Sequence, residues 1–234
     1  MDKLPILMYH NVTTDEKKVN RLTIHQNLIE KQFQYLSKNG YQSLFLKDLE
    51  KKDKLTNKSV VITFDDVTKN QLEFAVPLLK KYNLKATFFI PFAYIGKQDE
   101  WNNGEESIMT IDDIKNLSND FELAFHSYSH RYFADLSIEE TNEDFELCKA
   151  IVDDQKLQLH HSIAYPYGNF PRKNPEKELF FEQLKAQEMI YGFRIGNRLN
   201  HFPFKNPYEI NRIDIKGTES LWKFIYKLNF GMLF

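Results

Sequence analysis

Four side chains capable of metal binding and proton transfer stand at the ends of two short apolar runs. Asp65 and Asp66 follow the run at 60–64, whereas His126 ends a second run and His130 comes four residues later. Two adjacent carboxylates are costly to bury unless a partner uses them, although an aspartate-capped turn at a strand end is a simple alternative. Two imidazoles and one carboxylate form a ligand set that suits zinc and leaves a coordination position for water. An HxxxH pair alone is weak evidence in a chain with seven histidines.

A third apolar run ends in the tetrapeptide Tyr-Pro-Tyr-Gly at 165–168. Proline and glycine favour a tight turn at this point. Such a turn can direct the backbone N–H of Tyr167 towards a reacting carbonyl, where it would stabilise an oxyanion. A turn with a purely structural role is the alternative for this segment taken by itself.

The three motifs lie in a chain that alternates short apolar runs with amphipathic stretches, as α/β proteins do. Several runs are continuously apolar, which is typical of parallel strands covered on both faces. Strands are predicted at 5–10, 59–64, 85–90, 121–126, 162–165, 191–195 and 210–215. Strands separated by helices in this way predict a barrel or an open doubly wound sheet. A barrel carries its chemistry at the carboxyl ends of its strands, where the three motifs stand.

Helical patterns fill the intervals between these runs. Thr23 is predicted to cap one helix and Thr110 to cap another, shorter one. Ser137 with Glu140 forms a capping box that opens a longer helix. The last segment, at 218–230, has the pattern of an amphipathic helix. No glycine-rich phosphate-binding loop follows any run, which argues against nucleotide-binding folds.

Composition limits the classes of function. The chain has 234 residues with 31 Lys and Arg, 33 Asp and Glu and a net charge of -2, which argues against a general nucleic-acid-binding protein. Arginine is scarce among the basic residues, so bidentate recognition of phosphate or carboxylate is not abundant. The single Cys148 excludes an intramolecular disulfide and a cysteine-rich zinc site. The sequence has no signal-peptide pattern and no apolar run of about 20 residues, so a cytoplasmic location is predicted.

The three motifs together, TFDD at 63–66, HSYSH at 126–130 and YPYG at 165–168, resemble the NodB-type polysaccharide deacetylases of carbohydrate esterase family four. Their order and approximate spacing match over about residues 4–215. The resemblance implies a distorted (β/α)7 barrel that forms a single domain over residues 1–234. It also implies a hydrolase that removes acetyl groups from N-acetylated sugars with one divalent metal, most often zinc.

The resemblance also implies roles for individual residues. Asp66, His126 and His130 would bind the metal, and Asp65 would be the general base that accepts a proton from the attacking water. This division agrees with the chemistry, because a cation beside two carboxylates keeps both ionised and needs only one of them as a ligand.

The remaining roles concern the oxyanion and the leaving group. The N–H of Tyr167, which follows Pro166 in its turn, would stabilise the oxyanion. The leaving amine needs a proton, usually from a histidine, which the family supplies from a C-terminal strand, yet no histidine follows His201 here. A sub-group, the poly-N-acetylglucosamine deacetylases and related surface-polysaccharide enzymes, resembles the chain more closely and looks circularly permuted. Its closing strand matches LPILMYH at 4–10, so His10 is the candidate general acid, with a non-catalytic histidine at the rim as the alternative.

Two positions depart from the family pattern. Val67 stands where many members have glycine, and Ala164 stands where an arginine commonly pairs with the base aspartate. Arg212 could approach the base instead, with a surface ion pair as the alternative for this residue. Asp214 could orient the candidate acid.

Two segments are candidates for contact with a substrate or a membrane. Trp101 lies in the long connection after the strand at 85–90, where it could stack on a sugar ring or anchor a surface loop. The segment at 218–230 could cover the barrel or lie on a membrane surface, which a lipid-linked saccharide substrate would require. The expected partner is therefore a saccharide and not a nucleic acid.

These features favour a metal-dependent N-deacetylase that acts on acetamido sugars of a polysaccharide or a glycan precursor. A non-catalytic glycan-binding module on the same barrel is the alternative from a different class, because the usual arginine is missing and the closing motifs are altered, the usual aspartate-tryptophan motif being absent. O-deacetylation and the hydrolysis of other amides also stay open, since the same attacking water would serve each of these carbonyls.

Overall fold

The computed structural model describes residues 2–56 and 58–232 of the chain. Strands and helices alternate along most of this length. The strands are β1 Asp2–Leu4, β2 Ile6–Tyr9, β3 Asn11–Thr13, β4 Thr23–His25, β5 Gln42–Leu44, β6 Ser59–Phe64, β7 Thr87–Ile90, β8 Glu122–Phe125, β9 Ser162–Ala164, β10 Tyr191–Ile195, β11 Asn200–Phe202 and β12 Ile210–Asp214. The α-helices are α1 Gln26–Lys38, α2 Leu46–Glu50, α3 Val76–Lys81, α4 Ile111–Leu117, α5 Ile138–Gln155, α6 Glu176–Ala186 and α7 Leu221–Phe230. A π-helical segment, Gln71–Ala75, leads directly into α3.

Seven of the strands form a closed parallel barrel. Their order is β2, β12, β10, β9, β8, β7 and β6, and the ring closes because β2 also pairs with β6. In this closing pair Ile6 lies opposite Val61, and Tyr9 lies opposite Phe64. These strands correspond to the seven apolar runs of the sequence, so the predicted (β/α)7 barrel is confirmed.

The barrel is distorted by a further short strand that the sequence pattern did not predict. β5 pairs with the beginning of β6, where Gln42 lies opposite Ser59. β7 pairs with β6 only near the end of that strand, where Thr63 lies opposite Thr87. Because β5 has only three residues, two of them polar, it is too short to give a recognisable period-2 pattern.

Alternate side chains of the strands fill two apolar layers. On β6, Val61 belongs to the cluster inside the barrel, whereas Val60, Ile62 and Phe64 belong to the cluster between the strands and the helices. Every residue of this strand is buried, as expected for a parallel strand that is covered on both faces. Burial of each large apolar side chain contributes about 1.5–3 kcal/mol relative to exposure, so the two layers hold the strand ends in fixed positions.

The helix starts follow the predicted capping residues with one exception. Ser137 Oγ accepts the N–H of Glu140 at 3.1 Å and Glu140 accepts the N–H of Ser137 at 2.9 Å, which confirms the predicted capping box of α5. Thr110 caps α4 through the same arrangement. The prediction for Thr23 is wrong, because Thr23 lies in β4 and His25 caps α1. Pairing with β3 gives Thr23 a strand partner, and this contact outweighs its preference for a helix cap.

The C-terminal helix α7 begins at Leu221, inside the predicted segment 218–230, because Ser220 caps its first turn. Phe224 and Leu228 are buried, and the helix packs against α1. Within residues 2–56 and 58–232, no helix is both long enough and apolar enough to cross a membrane.

Candidate active site

The carboxyl ends of six barrel strands surround one cavity of about 590 Å³. It holds the candidate residues that follow β2, β6 and β8, the turn after β9, and two residues of β12. Pro166 is buried within its turn and does not line the cavity. The candidate residues that line the cavity are His10, Asp65, Asp66, Trp101, His126, His130, Tyr167, Arg212 and Asp214.

In the part of the chain that the structure describes, Asp66, His126 and His130 form the one cluster of potential metal ligands. Their ligand atoms lie within 4.8 Å of one another. Oδ1 of Asp66 lies 3.4 Å from Nε2 of each histidine, and it is buried without a hydrogen-bond partner. A buried polar atom without a partner is costly. A divalent cation between these side chains would give that oxygen a partner, so the residues present fit a metal site.

Neighbouring groups set the protonation of these ligands. Nδ1 of His126 lies 2.7 Å from the carbonyl oxygen of Ala164 and therefore donates to it, which leaves Nε2 free to bind a metal. Burial would raise the pKa of Asp66, but the two imidazoles outweigh burial and hold this pKa well below its ordinary value. Burial would lower the pKa of His126, but Asp65 and Asp66 raise it overall. Burial dominates for His130 and lowers its pKa, which favours the neutral form that a metal requires.

Arg212 holds Asp65 through two parallel hydrogen bonds. Nη1 donates to Oδ1 at 2.5 Å and Nη2 donates to Oδ2 at 2.7 Å, and both side chains are buried. Burial would raise the pKa of Asp65, but the guanidinium group outweighs burial and holds this pKa below its ordinary value. The carboxylate is therefore ionised at neutral pH, which is the state that a general base requires. Arg212 thus supplies the pairing that Ala164 cannot.

His10 lies beside the same carboxylate. Its Nε2 is 3.8 Å from Oδ2 of Asp65, and its side chain is 14% exposed. Among the described residues, Asp214 makes no hydrogen bond to His10, so the expected orienting contact is absent; its carboxylate lies 4.0 Å from Nζ of Lys216. The reason is register, because Asp214 lies opposite Met8, two residues before His10.

Positive φ angles cluster at the mouth of the cavity. Asp66 (76°), Val67 (43°), Ser127 (64°), His130 (53°) and Tyr167 (57°) all have left-handed backbone conformations. Such conformations are uncommon outside glycine and cost of order 1–3 kcal/mol each, so the surrounding structure must maintain them. Their concentration around the three potential metal ligands and the turn is typical of a functional site.

Aromatic rings cover one side of the three potential ligands. Trp101 stacks on His130 with ring centroids 3.9 Å apart, and Tyr94 contacts Trp101 edge to face. Tyr167 stacks on Tyr132 at 4.1 Å and contacts the His130 ring edge to face. Trp101 therefore has only one face left for a sugar, because the other face packs against a potential metal ligand.

One buried carboxylate that the sequence analysis did not select supports the HSYSH loop. Asp144 on α5 accepts the N–H of Tyr128 at 2.7 Å and the N–H of Ser129 at 3.1 Å, and so fixes the loop between the two histidines. Asp144 lies on the helix face that also buries Phe145 and Cys148. A charged residue on an apolar helix face is the signal that could have revealed it.

A buried amide joins two of the strand ends. Gln71 donates from Nε2 to the carbonyl oxygens of His10 at 3.0 Å and Asp65 at 2.5 Å. Its partners are backbone atoms of distant segments, so no sequence pattern could have revealed this role. His201, the last histidine of the chain, lies on β11 opposite Lys3 of β1 and does not line the cavity.

Comparison with known proteins gives one matching family and several relatives. A family model described as polysaccharide deacetylase matches residues 52–178, which is more than half of the chain. The protein YxkH of Bacillus subtilis (strain 168), which carries the name of a polysaccharide deacetylase, is 30% identical over 199 residues. The match covers 83% of this chain and 63% of the relative, so the chain spans less than two thirds of that protein's length.

A second curated relative and one solved structure extend the comparison. The poly-beta-1,6-N-acetyl-D-glucosamine N-deacetylase of Staphylococcus aureus (strain MSSA476) is 28% identical over 217 residues, which cover 86% of this chain and 70% of the relative. The Streptococcus pyogenes deacetylase PplD, solved in complex with acetate, aligns with a TM-score of 0.79 at 22% identity. This alignment covers 97% of this chain and 98% of the other, and at this level of identity it shows a shared fold.

Proposed function

The chain belongs to the polysaccharide deacetylase family, and on this premise we propose that it hydrolyses acetamido groups on the sugars of a polysaccharide or a glycan precursor. The observation that carries this proposal is the juxtaposition in one cavity of an arginine-paired carboxylate and an Asp-His-His cluster. Asp65 and Asp66 are adjacent in sequence, yet one is paired with Arg212 and the other faces two imidazoles. One carboxylate is therefore placed to act as a base and the other to bind a metal, as metal-dependent hydrolysis requires.

Asp66, His126 and His130 would hold one divalent cation, most suitably zinc, because two imidazole nitrogens and one carboxylate oxygen match its ligand preference. When bound, the cation would supply Lewis acidity, which lowers the pKa of water and polarises a carbonyl oxygen. The three side chains occupy one side of the cavity, so a substrate amide would approach from the open side.

The chain's own residues would carry out the proton transfers. Asp65 would accept a proton from the water that attacks the amide carbonyl carbon. The N–H of Tyr167 would donate a hydrogen bond to the oxyanion that forms. His10 would then give a proton from Nε2 to the sugar nitrogen as the C–N bond breaks, so that acetate and a free amine leave.

Arg212 would act by positioning Asp65. Its two hydrogen bonds fix the plane of the carboxylate, and its charge keeps the group ionised. This contact also weakens the alternative of a non-catalytic glycan-binding module, which rested in part on the missing family arginine.

The name of the Staphylococcus aureus relative supports a saccharide that carries N-acetyl groups as the substrate class. A lipid-linked form of that saccharide would bring the protein to a membrane surface. Trp222 and Phe230 on α7 are 76% and 63% exposed, and they lie eight residues apart, on nearby faces of the helix. These exposed rings support peripheral membrane contact through α7.

The experiment that tests the function is acetate release from N-acetylglucosamine oligomers, with and without a chelator. We expect release that stops on chelation and returns with zinc. Asp65→Asn should abolish release while the bound metal, measured by elemental analysis, stays near one per chain. Asp153→Asn, at an exposed position of α5, is the matched control and should keep full activity.

The same assay separates the alternatives. Acetate release that survives both chelation and Asp65→Asn would contradict the proposed mechanism. Release from O-acetylated but not from N-acetylated oligomers would assign the chain to ester hydrolysis. Oligomer binding without any acetate release in the presence of zinc would favour a glycan-binding module.

A further inference from the structure

The connection between β10 and β12 differs from the other crossovers of the barrel. Residues 196–209 contain the short strand β11 instead of a helix, whereas α3, α4, α5 and α6 lie between the preceding barrel strands. The outer face of this strand pair carries a second cavity of about 350 Å³. Its lining residues are Arg194, Gly196, Arg198, Glu209 and Asn211.

Two arginines in this cavity have no partner among residues 2–56 and 58–232. Among the described residues, neither Arg194 nor Arg198 makes a side-chain hydrogen bond or an ion pair, and Nε of Arg194 is buried without an acceptor. The single carboxylate, Glu209, accepts a hydrogen bond from Asn206 at 2.9 Å and lies 3.9 Å from Lys177. Arg194 is partly buried and Arg198 is exposed, and a partly buried cation without a counterion is less well solvated than one in open water. The cavity therefore has unused capacity for an anion.

A third arginine, Arg172, lies within electrostatic range of Arg194 but does not line the second cavity. Arg172 donates from Nη2 to the carbonyl oxygen of Gly168 at 2.6 Å and packs over the Phe170 ring. Burial lowers the pKa of Arg172, and the positive charge of Arg194 lowers it further. The positive charge around Arg194 is therefore larger than the two arginines of the cavity alone would give.

The backbone under this cavity is fixed before any ligand arrives. The N–H groups of Gly196 and Asn197 both donate to the carbonyl oxygen of Arg212. A side chain at Gly196 would place its Cβ 1.8 Å from Oδ1 of Asn211, so only glycine fits there. A rigid segment that presents two arginines loses little entropy on binding, which favours recognition of a fixed group.

The second cavity adjoins the first through the end of β10. Ile195 lines the catalytic cavity, while its neighbours Arg194 and Gly196 line the second one. Gly168 also lines the catalytic cavity, and its carbonyl oxygen holds Arg172. Because successive residues of a strand point to opposite sides, the two cavities lie on either side of the end of β10, and a saccharide chain would reach the arginines by crossing the rim at Ile195.

We propose that the cavity between β10 and β12 is a phosphate subsite, which binds a phosphate ester carried by the saccharide that is deacetylated. Planar guanidinium groups match the oxygens of a phosphate in pairs, and several of them suit a group with more than one negative charge. The assignment of a saccharide as the carrier of the phosphate rests on the proposed deacetylase function. The binding of phosphate itself is independent of that function.

The first test measures binding of inorganic phosphate to the full chain without metal by calorimetry. The wild-type chain should bind phosphate, and the double variant Arg194→Gln/Arg198→Gln should bind it at least tenfold more weakly. Arg131→Gln is the matched control, because Arg131 pairs with Glu140 on the surface. Arg198→Gln alone changes an exposed side chain and should weaken binding without risk to the fold. Equal binding by all of these proteins would overturn the subsite.

The second test compares acetate release from N-acetylglucosamine oligomers with and without a phosphate ester. The wild-type chain should prefer the phosphorylated oligomer at least fivefold in kcat/KM, and the double variant should bring this ratio close to one. Arg131→Gln should keep the wild-type ratio. Binding of free phosphate with no preference between the oligomers would overturn the assignment to a saccharide phosphate. If no oligomer releases acetate, the proposed function fails, and the calorimetric test still decides whether the phosphate subsite exists.

Discussion

Arg212 and Arg194 lie on neighbouring parallel strands, yet Arg212 is paired with a carboxylate of the protein and Arg194 is not. Arg212 points into the barrel, is 1% exposed and makes two hydrogen bonds to Asp65. Arg194 lies beside the outer cavity, and among the described residues its guanidinium group makes no hydrogen bond or ion pair, whereas for Arg212 only Nε lacks an acceptor. When a buried cation is paired with a carboxylate of the protein, it fixes the geometry of that carboxylate. A cation that the protein leaves unpaired at a cavity is available for a ligand. The Asp65–Arg212 pair is thus matched in charge within the protein, whereas the arginines of the outer cavity are not.

The largest expected effect comes from breaking the inner pair. Arg212→Gln should lower the free energy of unfolding by about 3–5 kcal/mol, because it leaves the Asp65 carboxylate buried without a counterion. Acetate release should also be lost, since the carboxylate is no longer oriented. Urea unfolding at pH 7 measures the first effect, and the oligomer assay measures the second.

The control for this prediction is Arg131→Gln. Arg131 pairs with Glu140 at 3.0 Å, but both side chains are about half exposed. Solvent screens such pairs, so the change should stay within about 1 kcal/mol. If Arg212→Gln cost no more than Arg131→Gln, the inner pair would not be the stabilising contact that its geometry indicates.

A smaller effect is expected at Asp144, which supports the loop between the potential metal ligands His126 and His130. Asp144→Ala removes the acceptors for the N–H groups of Tyr128 and Ser129. The loop between His126 and His130 would then lose its fixed conformation, and zinc affinity should fall about tenfold, as for other groups that support ligands indirectly. Competition with a fluorescent chelator measures this affinity.

Asp153→Ala on the same helix is the matched control, because Asp153 is exposed. Its zinc affinity should equal that of the wild-type chain. The same affinity in both variants would show that the loop keeps its conformation without Asp144.

The contrast between the two arginines also marks what the sequence could and could not predict. The family resemblance and the barrel are confirmed, because their signals are local: apolar runs, each ending in a short polar motif. Asp65, Asp66, His126 and His130 lie at one mouth for the same reason, since parallel strands bring their carboxyl ends together. Arg212 could be proposed as a partner of Asp65 only because Ala164 stands where family members commonly have the arginine that pairs with this aspartate.

Other features depend on contacts between distant segments and had no local signal. β5 is too short to show a pattern, and Thr23 lies in a strand because β3 is available as its partner. Gln71 acts on backbone atoms that no pattern reveals. The placement of Arg194 and Arg198 at one cavity depends on the helix-free crossover between β10 and β12, which the sequence pattern did not distinguish from a helical one.

The smallest expected effect, and the sharpest test of the contrast, is Arg194→Gln in phosphate-free buffer. Because this substitution removes a charge that has no protein partner, the free energy of unfolding should stay within about 0.5 kcal/mol of the wild-type value or rise. Added phosphate should then stabilise the wild-type chain, since it binds only the folded state, and should stabilise the variant less. Urea unfolding with and without phosphate measures both effects. A loss as large as that for Arg212→Gln would mean that Arg194 is held by the protein itself, and the difference between the two cavities would disappear.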